Sequence, residues 1–316
     1  MKRLDDIVER NRRALRPRRS WLGYMFDEIA DACDTSIPRE ERRPKQIAIA
    51  IVANPPRGAL AGLPQLELVQ SLWAGVEGLL ADPTLPAGVP LARMVDPAMN
   101  EAMAETALWA VLSLQREMFD YARQQREARW LQRPQRTAGE TTIAVLGLGQ
   151  MGRAAALRLV RNGYRVLGWS ARPAAIDGVE THHGEATLAA VLGAARIAVN
   201  LLPLTSATRG LFDARVLALL PRGASFVNLA RGAQVVEADL LAALDRGALR
   251  HAVLDVFATE PLPAAHPFWA HPRVTVLPHV AAQTDPRSAS MVAAANVAAL
   301  RAGRALQHLV DRKRGY

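Results

Sequence analysis

The chain has 316 residues, half of them hydrophobic and 22% charged, which is enough for two domains with a sizeable core and argues against disorder. Its formal charge of +9 is carried almost wholly by arginine, with Lys2, Lys45 and Lys313 the only lysines, so the excess reads as compositional bias and no nucleic-acid partner is expected. A single cysteine, Cys33, excludes an internal disulfide and a multi-cysteine metal site, and no apolar run reaches the ~18 residues that span a bilayer, so a cytoplasmic protein without metal or membrane partner is expected.

Residues 1–44 are atypical, with Arg12, Arg13, Arg16, Arg18 and Arg19 crowded into one solvated stretch. Strands are predicted over Gln46–Val52 and Leu66–Leu72, on either side of the turn-rich Asn54-Pro-Pro-Arg-Gly58. Asn100–Arg129 reads as one long helix, because Met103, Leu108, Val111, Leu112, Leu114 and Met118 recur near helical spacing. From Thr141 onward short apolar runs alternate with helical stretches. The strand candidates are Thr142–Leu146, Arg165–Trp169, Ile197–Leu202, Ser225–Leu229, Ala252–Val256 and Val274–Leu277. Two of the intervening helices, Met151–Arg161 and Glu237–Arg246, stop at Gly163 and Gly247, where glycine enters the left-handed region without penalty. Asp285-Pro286 opens a last helix that runs to about Gly303. This alternation predicts an α/β fold with a doubly wound parallel sheet.

The run Ile143-Ala-Val-Leu-Gly147-Leu-Gly149-Gln150-Met151-Gly152 is a strand, a glycine-rich turn and a helix start. In a dinucleotide fold Gly147 permits the tight turn, Gly149 lets the backbone approach a pyrophosphate, and Gly152 lets helix and strand pack closely. The pyrophosphate then sits on free N–H groups at the positive end of the helix dipole. An acidic residue ending the second strand would bind the ribose 2′-hydroxyl of NAD and repel a 2′-phosphate. Trp169-Ser170-Ala171-Arg172 has none before Asp177, and Ser170 and Arg172 can both bind a phosphate, so NADP(H) is favoured and NAD(H) stays possible.

Three later segments follow in order: Asn228-Leu-Ala-Arg231-Gly232, Leu254-Asp255-Val-Phe-Ala-Thr-Glu260-Pro261 and Leu277-Pro278-His279. With the glycine motif they resemble the D-2-hydroxyacid dehydrogenase family, and Trp169-Ser170 with the closing Asp311-Arg-Lys-Arg-Gly-Tyr316 resembles its glyoxylate/hydroxypyruvate reductase A branch. The resemblance implies an NAD(P)H-dependent reductase of small 2-oxo acids. It implies a Rossmann cofactor domain over 100–284 and a smaller flavodoxin-like substrate domain from 1–99 plus 285–316. In it Arg231 anchors the substrate carboxylate, His279 is the general acid, Glu260 orients His279, and Asp255 faces the nicotinamide carboxamide, while Pro203 joins the cofactor residues. Trp73-Ala74-Gly75-Val76 resembles the loop that offers backbone N–H groups to the carboxylate. A homodimer held around the long helix is implied as well, with Trp130 either lining an active site or packing in the interface.

The same resemblance calls for an opening apolar strand and helix, and residues 1–44 show no such strand. Considered singly, His251 or His271 could stand in for His279, and Arg231 could be one more surface arginine. A β-hydroxyacid dehydrogenase would place its glycine motif near the N-terminus and use a catalytic lysine. Here the motif starts at Gly147 and only Lys313 follows it. Lactate or phosphoglycerate dehydrogenase, and a nucleotide-sensing scaffold without turnover, are the remaining alternatives.

Overall fold

A computed structural model describes residues 47–316, so the arginine cluster, Cys33 and the other features expected of residues 1–44 lie outside the described residues, as does Gln46. The chain divides into two compact units, one ending at Met99 and resumed over Thr284–Tyr316, the other Asn100–Gln283.

In the smaller unit, strands β1 (Ile49–Val52), β2 (Leu68–Ser71) and β3 (Leu91–Ala92) pair in parallel in that order. A four-residue helix, α1 (Glu77–Leu80), follows β2. Ala50, Val52, Val69 and Leu91 bury one face of the sheet against Leu60, Leu66, Val76 and Leu79. The last helix of the chain, Pro286–Arg301, belongs to this unit and is capped by Asp285, whose Oδ1 accepts from the N–H groups of Arg287 and Ser288. It is pinned to β2 through Asn296, whose Nδ2 donates to Gln70 Oε1 at 2.7 Å.

The larger unit opens with α2, whose span Pro97–Gln115 starts three residues before the boundary, and α3 (Met118–Arg126). The single helix expected over Asn100–Arg129 is therefore two. The break falls at Glu117, which adopts the left-handed conformation at φ 64°. Its carboxylate pairs with Arg133 at 3.1 Å and with Arg250, so tertiary ion pairs hold a conformation that helical periodicity cannot reveal.

Seven strands form the sheet of this unit: β4 (Thr142–Leu146), β5 (Arg165–Ser170), β6 (Glu180–His183), β7 (Ile197–Asn200), β8 (Ala224–Asn228), β9 (Leu249–Leu254) and β10 (Val274–Val276). All pairings are parallel, in the order β10-β9-β8-β7-β4-β5-β6. The first strand thus lies inside the sheet and the winding reverses on either side of it, which is the doubly wound Rossmann order. Strand alternation sorts the side chains. Ala144 and Leu146 of β4 pack under α5 (Glu185–Ala194) and the helix Glu237–Asp245 on one face. Ile143 and Val145 pack against α2 and α4 (Gln150–Arg161) on the other. After α5 come the short α6 (Ala214–Leu217), then α7 (Glu237–Asp245) and, in the smaller unit, α8 (Pro286–Arg301).

Strand β6 escapes the sequence pattern because its Glu-Thr-His-His is a polar edge strand with no buried residue. The strand expected at Ala252 begins at Leu249, and the one expected to reach Leu202 ends at Asn200. Among the described residues no helix is long and apolar enough to cross a membrane, and no group of three or more His, Cys, Asp or Glu side chains could hold a metal.

Candidate active site

Each candidate in the larger unit lies at or just beyond the carboxyl end of a strand, where open α/β sheets bind ligands. Gly147 follows β4, Ser170 ends β5, Pro203 follows β7, Arg231 follows β8, Asp255 and Glu260 follow β9, and His279 follows β10.

The glycines of the cradle answer to different demands. Gly147 has φ +98°, and a Cβ there would lie 2.5 Å from the carbonyl oxygen of Leu201 on the neighbouring β7 loop. A Cβ on Gly152 would lie 1.7 Å from the carbonyl oxygen of Gly147, so helix and turn meet too closely for any side chain. Gly149 differs. It is the N-cap of α4 with φ −69°, and a Cβ there would have no protein atom within 4 Å. Neither packing nor backbone conformation requires glycine at this position. The open space at a helix N-terminus fits a pyrophosphate that approaches the backbone itself.

At the end of β5, Ser170 Oγ donates to the carbonyl of Arg172 at 2.7 Å, shaping the loop that carries Arg172 into solvent. No carboxylate occupies the position that would repel a 2′-phosphate.

The far strands carry a close histidine–carboxylate pair. His279 Nδ1 and Glu260 Oε2 lie 2.7 Å apart, and the second Glu260 oxygen accepts from the Phe257 N–H at 2.9 Å. His279 has φ 55°, a left-handed conformation unusual for histidine, and its own N–H donates to the carbonyl of Asp255 at 2.9 Å. The Asp255 carboxylate accepts from the N–H groups of Val280 at 2.7 Å and Ala281 at 2.9 Å. Burial pushes the Asp255 carboxyl above the ordinary aspartate range, against the opposing pull of those two donors. Asp255 is thus built into the support of the His279 turn, a role sequence spacing did not suggest. The alternative histidines lie elsewhere: His251 stacks on Phe119, and His271 meets Asp245 at 3.2 Å.

Arg231 precedes a turn whose tightness explains Gly232, since a Cβ there would lie 1.8 Å from the carbonyl carbon of Phe257. The loops bearing Arg231 and Glu260 therefore touch backbone to backbone. Behind the Arg231 loop three wholly buried amides, Asn200, Asn228 and Gln234, join it to the Leu202–Pro203 loop after β7. None of the three was singled out from the sequence, because Asn and Gln near strand ends look like ordinary loop residues. In the smaller unit Trp73–Val76 forms the loop after β2. The Trp73 N–H donates to Ser71 Oγ, and Val76 is buried as the N-cap of α1.

A glycine-rich turn after the interior strand β4 and a histidine–carboxylate pair beyond the outer strands fit a nicotinamide-dependent dehydrogenase. Residues 108–281 match the family model for the D-isomer specific 2-hydroxyacid dehydrogenase NAD binding domain, and the chain belongs to that family. Glyoxylate/hydroxypyruvate reductase A of Serratia proteamaculans (strain 568) is 41% identical over 301 residues, covering 94% of this chain and 96% of the relative. The Yersinia enterocolitica protein of the same name is 39% identical over 303 residues, with the same coverage. Among solved structures, the D-isomer specific 2-hydroxyacid dehydrogenase of Xanthobacter autotrophicus Py2, in complex with NADPH and MES, superposes with TM-score 0.88 at 43% identity, over 92% of this chain and 95% of that one. The NADPH-dependent glyoxylate/hydroxypyruvate reductase of Sinorhizobium meliloti, in complex with NADP and sulfate, gives 0.82 at 36%, over 92% and 96%.

Proposed function

We propose that the chain reduces small 2-oxo acids of the glyoxylate and hydroxypyruvate type to 2-hydroxy acids, with NADPH preferred over NADH. The observation that carries the reading is the 2.7 Å Glu260–His279 pair, beyond strands three and four places from the cradle strand β4, where Gly149 leaves room for a pyrophosphate.

Gly147, Gly149, Gln150, Met151 and Gly152 would hold the pyrophosphate, Ser170 and Arg172 the 2′-phosphate, and Pro203 and Asp255 would lie toward the nicotinamide. The bound cofactor supplies hydride. The protein does the rest. Arg231 takes the substrate carboxylate in a charge-assisted fork and polarises the 2-oxo group. Glu260 occupies His279 Nδ1, which orients the ring and leaves Nε2 to deliver a proton to the developing alkoxide. The Trp73–Val76 loop is proposed to add backbone N–H donors for the carboxylate.

We also propose a homodimer. Trp109, Leu112, Met118, Trp130 and Leu131, all on or just after α2 and α3, are among the exposed large apolar residues, and Trp130 is 94% exposed. Trp130 lining a partner's active site belongs to the same proposal.

The test follows NADPH absorbance after addition of glyoxylate or hydroxypyruvate to the purified protein, with NADH in parallel. Oxidation that is faster with NADPH supports the reaction and the cofactor preference together. Binding of NADPH without oxidation by either acid would overturn the reaction and favour a nucleotide-sensing scaffold.

A further inference from the structure

Three amide side chains at the carboxyl ends of β7 and β8, Asn200, Asn228 and Gln234, are each 0% exposed in an otherwise apolar core. Burying an amide is unfavourable unless its hydrogen bonds are replaced, so such a cluster needs a reason beyond filling space. These bonds are replaced almost completely. Asn200 Nδ2 donates to Asn228 Oδ1 at 2.9 Å and to Gln234 Oε1 at 2.7 Å, while its Oδ1 accepts from the Leu202 N–H at 3.2 Å. Gln234 Nε2 donates to the carbonyls of Leu202 at 3.1 Å and Pro203 at 3.0 Å. Asn228 Nδ2 donates to the Arg231 carbonyl at 3.1 Å, and its Oδ1 also accepts from the Ala230 N–H at 3.2 Å. Turning either Asn200 or Gln234 over would set donor against donor, so the network has one arrangement.

Its backbone partners fall into two groups only: Leu202 and Pro203 after β7, and Ala230 and Arg231 after β8. The Arg231 side chain is itself turned back, with NH1 donating to the Ala230 carbonyl at 2.6 Å. A satisfied buried network holds its members more rigidly than apolar packing would.

We propose that Asn200, Asn228 and Gln234 act as positioning residues. They lock the Arg231 loop to the Leu202–Pro203 loop, so that the guanidinium meets a substrate carboxylate in one register. This rests on the reading of Arg231 as the carboxylate anchor. Asn200 is the junction, since it alone bonds to both other amides.

The test uses Gln234→Met, which keeps length and bulk but loses both donations and the bond from Asn200. Hydrogen exchange followed by mass spectrometry on the free protein is expected to show faster exchange in both loops, residues 201–203 and 229–232, though Gln234 donates only to the first. Acceleration confined to one loop would overturn the relay. In kinetics with glyoxylate and NADPH, kcat/KM is expected to fall about 10- to 100-fold through a raised KM, with the NADPH Kd from tryptophan quenching within about threefold of the parent. Leu240→Ala, a cavity in α7 outside the network, serves as control: it is expected to lower Tm while leaving KM unchanged. A Gln234→Met protein with parental KM, or a KM rise that Leu240→Ala reproduces, would sink the proposal. Should Gln234→Met fail to fold, Gln234→Asn carries the same measurements, being one methylene too short to reach both carbonyls. A parent protein inactive on 2-oxo acids would overturn the Arg231 reading alone, because the exchange result still decides the relay.

Discussion

At the scale of single residues, the short contact between Glu260 and His279 and the raised, buried carboxyl of Asp255 set out separate duties. His279→Ala removes the proposed proton donor but none of the residues proposed to bind the dinucleotide. Its kcat is expected to fall about 10²- to 10⁴-fold with NADPH affinity nearly unchanged, and steady-state rates beside a quenching titration would check this. Parental turnover would remove His279 from the mechanism. For Arg172→Ala the expected loss is on NADPH alone: the KM ratio of NADH to NADPH should fall, since a neutral side chain cannot pair with a 2′-phosphate. An equal loss with both cofactors would show that Arg172 acts on something they share.

Among the elements, the turn from β4 into α4 gives the cleanest contrast. Gly149 faces open space in an ordinary backbone conformation, whereas Gly152 is jammed against the Gly147 carbonyl. Gly149→Val is therefore expected to weaken NADPH binding strongly while Tm stays near the parent value. Gly152→Ala is expected to cost about 3 kcal/mol, the upper end for overpacking, because a backbone atom must move, and calorimetry beside binding separates the two cases. A large Tm loss for Gly149→Val would mean that protein packing, not a ligand, demands glycine there. The break between α2 and α3 has a different origin from the jammed glycine, which meets a carbonyl five residues back: here a contact distant in sequence, from Arg250 on β9 to Glu117, decides the local backbone.

For the molecule as a whole, the larger unit contains a histidine whose titration bears on stability. His251 lies between Phe119, stacked at 4.6 Å, and Thr275, whose Oγ1 is 2.9 Å from Nε2. Burial lowers its pKa from 6.5 to about 4; Asp120 opposes this, and Arg250, Arg123 and His271 add to it. A depressed histidine pKa means that the unfolded chain binds the proton first. The stability tied to His251 is complete above pH 6.5 and is lost as pH falls from 6.5 toward 4, by at most about 3 kcal/mol. Urea unfolding at pH 7.5 and pH 5 should show the loss in the parent and a smaller one in His251→Phe. Equal losses would assign the acid sensitivity to other groups. The proposed dimer is checked by light scattering: the parent should run near twice the 34.3 kDa chain mass, and Trp130→Ser with Met118→Ser should shift it toward the monomer.

From sequence alone came the strand cores, because five of the seven strands of the main sheet are apolar enough to be read directly and β9 was found over the second half of its length. The glycine motif was legible as a pattern, whereas Arg231, Glu260 and His279 were singled out through the family resemblance of the segments that carry them. Polar β6, the break at Glu117 and the Asn200–Asn228–Gln234 cluster were not legible: β6 has no buried face to mark it, and the other two depend on neighbours far along the chain. Asn200 and Gln234 are 34 residues apart in sequence and 2.7 Å apart between their amides. Periodicity reports which side of an element is buried. Only the folded sheet decides which buried polar groups meet, because strand order, not sequence distance, sets what lies side by side.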